Sequence, residues 1–430
     1  METSGRPGPL RLGVVGLGAA GAAALPLVER HPDVVVTAGA DPDEAARRRF
    51  TRLGVPGAAA FATVEELVRC PDVDAVYVAS PTELHPEHVS AALAAGLHVI
   101  VEKPMAPSLA AAEAMVQQAD EAGRVLLVGH SQSFEAPVRA MRAIVESGVL
   151  GALTSINCWY FTDWMYRPRH PDELDMSKGG GVPFRQAAHH IDIVRYLGGG
   201  LLASVRGRTG CWDSARLADG AYTAYLEFQD GTPATAVYSG YDHFPSHELT
   251  FGVGETGQSM GTDYGVARRR LEGVAGTEGE LALKRGSAGS SRQTEILRGG
   301  DQQPFFGLVL LSCERGDVRI SPDGLLVYGD VSREQIPLEG LPVGRHMLFT
   351  ELVDAVRGAA VATHDAAWGL ANLEVCDALL RSSATRREIP LTRQVPLPPQ
   401  PGLQEVVAGA ARTVQGQDGA LPITERVMPR

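Results

Sequence analysis

Cysteine is scarce and scattered: five residues, Cys70, Cys158, Cys211, Cys313 and Cys376, odd in number and never in a C-x-x-C pair. That spacing excludes a zinc ribbon and a disulfide scaffold, and the thiols read as core residues. Positive charge is also in deficit, with 39 Lys and Arg against 51 Asp and Glu, a formal balance of −12. Such a chain lacks the basic stripe that holds phosphate backbones, so nucleic acid is not expected as a partner. Long apolar runs are missing too. The stretch from Gly13 to Val28 is broken by glycines and Pro26, and no membrane span is expected. The N-terminus shows no basic region followed by an apolar core, and the protein is read as cytoplasmic. No metal site is expected either. His85 and His88 have no acidic or cysteine partner at matching spacing, and His189 and His190 point apart on a helix.

What is present argues for two domains, because 430 residues exceed the roughly 250–300 at which a single core stops growing. From Leu10 to His130, short apolar runs alternate with Ala- and Glu-rich stretches, the rhythm of βαβ units and a parallel sheet. Strands are predicted at Leu12–Val15, Val34–Ala38, Ala75–Ala79, Val99–Val101 and Val125–Val128, each apolar throughout, as burial on both faces requires. Beyond Leu153 the pattern becomes one of longer alternating runs, such as Ala221–Phe228 and Ala234–Tyr238 around the turn Gln229-Asp230-Gly231. The fold class is α/β: an N-terminal Rossmann parallel sheet (1–130), then an α+β domain on a large, mainly antiparallel sheet (131–395). Helical spacing at His346–Arg357 and Trp368–Ser382 suggests elements that pack back on the first domain. Gly286–Gly300 reads as a loop, and 396–430 as an extended tail.

The first chemical motif is Gly16-Leu17-Gly18-Ala19-Ala20-Gly21, directly after a predicted strand and opening a predicted helix. There Gly16 permits a tight turn, Gly18 lets backbone approach a pyrophosphate, and Gly21 packs helix on strand, with Ala19 and Ala20 in the first turn of the helix. Asp41 ends the second strand about 20 residues on, where a carboxylate binds ribose hydroxyls. It favours NAD and repels the 2′-phosphate of NADP, although Arg47 to Arg49 could accommodate that phosphate. Asp41 is equally placed to cap the helix that begins at Pro42.

Two further strings are Ser80-Pro81-Thr82-Glu83-Leu84-His85 and Glu102-Lys103-Pro104, after the third and fourth predicted strands. A third is Gly179-Gly180-Gly181-Val182-Pro183-Phe184-Arg185-Gln186-Ala187-Ala188-His189-His190-Ile191-Asp192. In this order and spacing they resemble the Gfo/Idh/MocA oxidoreductases over roughly residues 10–395. The resemblance implies that Lys103 lies at the reaction centre, that Ser80, Pro81, Thr82, His85, Glu102, Trp164 and Arg167 border the cofactor, and that the second domain supplies a substrate wall. His189 and Asp192 match the family pattern, but Arg185 stands where the family carries a catalytic Asp. Four residues apart, Arg185 and His189 are predicted on one helical face. A guanidinium there favours neutral imidazole and offers a fork for a substrate carboxylate.

The segment from Phe161 to Asp175, the R-Q-x-x-H string and Ser239-Gly240-Tyr241-Asp242-His243-Phe244 resemble the phthalate cis-dihydrodiol dehydrogenase branch. That likeness implies oxidation of a carboxylated cyclic diol with NAD. Arg167, Arg169 and Arg185 are then candidate carboxylate ligands, with Tyr241 and His243 as substrate wall or half-buried packing. The expected partner is an anionic small molecule, with His189, Lys103 and Arg185 as the catalytic set. A sugar or cyclitol dehydrogenase and a non-catalytic dinucleotide-binding regulator are the alternatives. Homo-oligomerisation is expected, since a broad sheet needs its outer face covered.

Overall fold

The computed structural model describes residues 8–414 except 53–56, 242, 262, 275, 288–299, 341–343 and 401. Six parallel strands form the first sheet: β1 (Leu10–Val15), β2 (Val34–Ala40), β3 (Ala59–Phe61), β4 (Ala75–Val78), β5 (His98–Val101) and β6 (Leu126–Val128). Their order is β3-β2-β1-β4-β5-β6, the Rossmann arrangement, which leaves a crevice at the carboxyl ends where the order reverses. Alternation within β4 shows why the strands are apolar throughout. Val76 and Val78 face one helical layer with Val89 and Met115, whereas Ala75 and Tyr77 face the other. That second layer is completed from far along the chain by Leu348, Phe349 and Leu352 of the helix Gly344–Val356. The predicted strands fall within two residues of the observed ones; β3, only three residues long, was not foreseen.

A nine-stranded sheet follows. It comprises β7 (Leu153–Phe161), β8 (Leu202–Gly210), β9 (Ala221–Phe228), β10 (Pro233–Ser239), β11 (Leu308–Cys313), β12 (Gly316–Ser321), β13 (Gly324–Tyr328), β14 (Arg333–Pro337) and β15 (Ile389–Pro390). Their order is β14-β13-β12-β11-β7-β10-β9-β8-β15. All neighbours are antiparallel except β7 and β10. The β9–β10 hairpin turns at Gly231, whose φ of +87° an L side chain rarely adopts. No described helix is long and apolar enough to cross a membrane.

Three expectations are corrected. The tail is not wholly extended: Gln404–Val414 is a helix whose Val406, Ala410 and Val414 enter the second domain's core. Their spacing of four is an apolar stripe that the preceding prolines and glycines obscured; residues 415–430 lie outside the described set. The helix predicted through Arg185 and His189 breaks at Gln186, between Val182–Arg185 and Ala187–Gly198. Among the thiols, Cys158, Cys313 and Cys376 are buried, but Cys211 is exposed. Most of the Gly286–Gly300 stretch lies outside the described residues.

The two sheets meet around a buried carboxylate. Asp192, fully buried, accepts from Ser133 Oγ at 2.5 Å, Trp368 Nε1 at 2.8 Å and Asn372 Nδ2 at 3.3 Å. His364 lies between Asp192 Oδ1 at 3.5 Å and Glu351 Oε2 at 3.3 Å. Burial alone would lower its pKa, but Glu351 and Asp192 outweigh that and push it up to about 10. A raised folded-state pKa stabilises the fold fully below the unfolded value of about 6.5 and progressively less as pH rises toward 10. Between pH 6.5 and 10, denaturant melts of the parent should therefore lose stability more steeply than those of His364→Gln. Parallel pH slopes would show that His364 is not charged in the fold.

Candidate active site

The glycine-rich loop follows β1 into the helix Ala19–Glu29. Gly16 has φ +88°, and a Cβ there would meet the Ala79 carbonyl at 2.7 Å; a Cβ on Gly21 would stand 1.9 Å from the Gly16 carbonyl. A Cβ on Gly18 meets nothing within 4 Å. Two glycines are therefore demanded by packing, while the third faces open space before a helix start that has no acidic residue in its first turn. Such a cradle fits a dinucleotide diphosphate. Asp41, at the end of β2, accepts from the Leu17 N–H of that loop and from the Asp43 N–H, both at 2.8 Å. It thus caps the following turn and also braces the loop. Arg47 donates to the Asp41 and Pro42 carbonyls at 2.6 and 2.9 Å.

Beyond β4, Ser80 Oγ lies 2.8 Å from His88 Nδ1, and Thr82 is buried in the short turn after Pro81. His85, 1% exposed, stands with Nε2 at 2.9 Å from the Ser80 carbonyl and Nδ1 at 3.0 Å from that of Pro104. It packs between the Ser80 loop and the segment carrying Lys103; burial lowers its pKa, and the neutral ring donates to one of the two carbonyls. Glu102, also buried, accepts from the Tyr77 hydroxyl and from the Lys103 N–H, the latter at 3.2 Å. The Lys103 ammonium is thereby aimed at the second domain, where it donates to the Arg185 carbonyl at 3.1 Å.

The Gly179–Gly181 loop turns at φ +72° and +76° and runs beside the first domain. A Cβ on Gly179 would lie 3.9 Å from the Thr82 methyl, and Lys178 reaches Glu83 at 3.7 Å. Arg185 Nε donates to the Gly179 carbonyl at 3.2 Å, and burial lowers its pKa against the pull of Asp172 and Glu102. One turn further on, His189 is 6% exposed and packs its ring 5.2 Å from Phe306. His190 is fully buried near Tyr222 Oη at 2.8 Å, and its pKa is pushed down to about 3 by burial.

The loop after β7 brings up the other cations. Arg167 Nε pairs with Asp163 at 2.6 Å. Arg169 lies 4.0 Å over the ring of Trp164, which is 1% exposed, and donates to the Trp164 carbonyl at 3.0 Å and to Glu173 at 3.1 Å. Burial, then the Arg167 and Arg185 guanidinium groups, push Arg169 down to about 9. Tyr241 is buried, its hydroxyl accepting from the Trp212 N–H at 2.8 Å and donating to the Gly210 carbonyl at 3.2 Å; His243 is exposed beside Arg268. Glu173, Glu280 and Lys284, which gather around Arg169, were not foreseen, because Glu280 and Lys284 lie 111 residues along the chain from Arg169 and Glu173 and no local pattern links them. No described group of three or more His, Cys, Asp or Glu is placed to hold a metal ion.

A six-stranded Rossmann sheet with a glycine cradle, met by the Lys178–Arg185 segment of a second α/β unit, defines a dinucleotide-binding oxidoreductase. Comparison with known proteins agrees: residues 10–130 match the oxidoreductase family with NAD-binding Rossmann fold, GFO_IDH_MocA, and residues 138–259 match the GFO/IDH/MocA C-terminal domain. The chain belongs to the Gfo/Idh/MocA oxidoreductase family. It is 35% identical over 378 residues to a 1-carboxy-3-chloro-3,4-dihydroxycyclohexa-1,5-diene dehydrogenase of Comamonas testosteroni, spanning 86% of this chain and 94% of that protein. A myo-inositol 2-dehydrogenase of Thermotoga maritima is 30% identical over 192 residues, 44% of this chain and 55% of that one. Among solved structures, a Bordetella bronchiseptica RB50 protein described as a dehydrogenase is 42% identical with TM-score 0.83, covering 89% of this chain and 100% of the other. The Bordetella pertussis WlbA dehydrogenase in complex with NADH and UDP-GlcNAcA is 20% identical with TM-score 0.65 over 89% and 99%, which shows a shared fold.

The glycine geometry separates folding from binding. Gly18→Ala should melt like the parent, whereas Gly21→Ala should be strongly destabilised, because its methyl would collide with backbone. In fluorescence titration Gly18→Ala should nonetheless weaken NADH binding by about tenfold or more, as expected for intruding on a close backbone–phosphate approach. Unaltered affinity would place the diphosphate elsewhere.

Proposed function

We propose that this protein is an NAD-dependent dehydrogenase of a carboxylated cyclic cis-diol, acting on the ring carbon that bears the hydroxyl. The observation that carries this reading is the place of Arg185, whose backbone carbonyl accepts from the Lys103 ammonium at 3.1 Å, with Arg167 and Arg169 supplied by the loop after β7. Partly buried guanidinium groups suit an anionic rather than a neutral substrate, because a ring carboxylate receives forked hydrogen bonds from them. The printed substrate of the Comamonas testosteroni relative, a carboxylated dihydroxycyclohexadiene, supports the same class.

In this reading Gly16, Gly18, Ala19, Ala20, Gly21 and Asp41 hold the dinucleotide, with Ser80, Pro81, Thr82 and Glu102 lining its nicotinamide end. Asp41 beside the glycine loop supports NAD over NADP. His85 acts at one remove, keeping the Lys103 segment in place. When bound, NAD supplies the hydride acceptor. His189 takes the hydroxyl proton, and Lys103 hydrogen-bonds the oxygen on which negative charge develops. Arg185, in place of an acidic residue, keeps His189 able to accept that proton and binds the carboxylate. Residues 1–130 and 131–395 serve as cofactor and substrate domains. The outer face of the large sheet, with Trp159 and Tyr225 44% and 42% exposed, supports a homo-oligomer. Five unpaired cysteines suit a reducing cytoplasm.

Incubating the protein with NAD and, separately, a carboxylated cis-dihydrodiol and a neutral cyclitol tests the reading by reduced-nicotinamide absorbance. Turnover of the carboxylated diol is expected; selective turnover of the cyclitol would overturn it. His189→Ala and Lys103→Met should each lower turnover at least about 10²-fold with NAD affinity retained. The double variant should be little worse than the poorer single one, because both serve one proton transfer.

A further inference from the structure

The helix Gly276–Ser287 buries no apolar side chain among its described ones, yet it lies against the loop that carries the arginines. Two charged residues on one of its faces make the junction. Glu280 accepts from the Arg169 backbone N–H and from the Arg216 guanidinium, both at 2.7 Å. Lys284 donates its ammonium to Glu173. Glu173 also accepts from the Arg169 guanidinium at 3.1 Å and from the His170 N–H at 2.7 Å. The side chains of Arg169, Glu173 and Lys284 are only 11%, 16% and 31% exposed, so solvent screens them weakly.

Two cations therefore share one carboxylate. With Arg169 alone, Glu173 would form a neutral pair and cancel the charge of the guanidinium as felt by an incoming anion. With Lys284 on its other oxygen, one positive charge of the triad stays uncancelled, next to Arg167 and Arg185. Burial and the nearby Arg169 push the Lys284 ammonium down to about 8, in keeping with a cation held close to another.

We propose that Lys284 is a positioning residue for the anionic substrate: by sharing Glu173 it leaves Arg169 with surplus positive charge, and so sets the affinity of the arginine cluster for a carboxylate. The proposal rests on the reading of that cluster as a carboxylate site. A helix poor in apolar contacts is thereby coupled to substrate charge, since what holds it down is what tunes the pocket.

The test is titration calorimetry of phthalate, a non-reacting ring carboxylate, into the NADH-loaded full chain. Lys284→Met should weaken phthalate about tenfold, the scale of one unit charge acting over several ångströms in a partly buried site. Lys284→Arg should bind like the parent. Adding Glu173→Gln to Lys284→Met should restore affinity, because removing the carboxylate frees Arg169 again. A merely structural brace would not be rescued by a second lost contact. NADH affinity, read on the same samples, should not change. Parent-like binding by Lys284→Met, or a double variant as weak as the single one, overturns the proposal while leaving the carboxylate reading intact. Failure of the parent itself to bind phthalate overturns the carboxylate reading, and this proposal with it.

Discussion

The geometry of the site hangs on one buried negative charge. A carboxylate as enclosed as Asp192 is tolerable only when hydrogen-bonded and opposed by positive charge. Its partners Ser133, His364, Trp368 and Asn372 come from the loop after β6, from the approach to the helix Ala366–Thr385, and from that helix itself. Asp192 lies on the helix that carries His189 one turn earlier. Satisfying the charge therefore sets where that helix sits against the first sheet. With it goes the Arg185 carbonyl that receives the Lys103 ammonium.

Around this joint the protein places charges unequally. The Asp192 network is closed: its carboxylate faces one ring nitrogen of His364, and Glu351 faces the other. Arg195, also fully buried, stacks over Trp368 at 3.8 Å and donates to Asn372 at 2.9 Å. The arginine cluster is arranged differently. Arg185 donates to a carbonyl, Arg169 lies on an indole face and shares Glu173 with Lys284, and Arg167 pairs with Asp163. Closed networks hold structure together, whereas cations left partly unanswered attract an anion. That contrast separates the joint from the arginine cluster, although both are rich in charge.

Much of the fold was legible because its signals are local. Continuous apolar strands separated by Ala-rich helices announce a parallel sheet, and Gly16 and Gly21 each answer a constraint that backbone geometry imposes on its own neighbourhood. The same holds for the hairpin at Gly231 and for the family strings around Lys103 and His189. Less legible were features that depend on distant partners. The carbonyls beside His85, the backbone partners of Tyr241, and the packing of the helix Gln404–Val414 on β14 and on the helix Ala136–Ser147 are all of this kind.

The sequence by itself determined the fold class, the glycine-rich turn after β1 and the family, because each is written in short-range pattern: strand periodicity, glycine spacing, E-K-P, R-Q-x-x-H. Only the tertiary structure decided which charges are compensated. Glu173 lies four residues from Arg169 in the chain, but Lys284 lies 111 residues from Glu173, and Asp192 meets Trp368 across 176 residues. No periodicity encodes such pairings; they exist because two sheets and a late helix close around the same volume, and burial there makes every unmatched charge count.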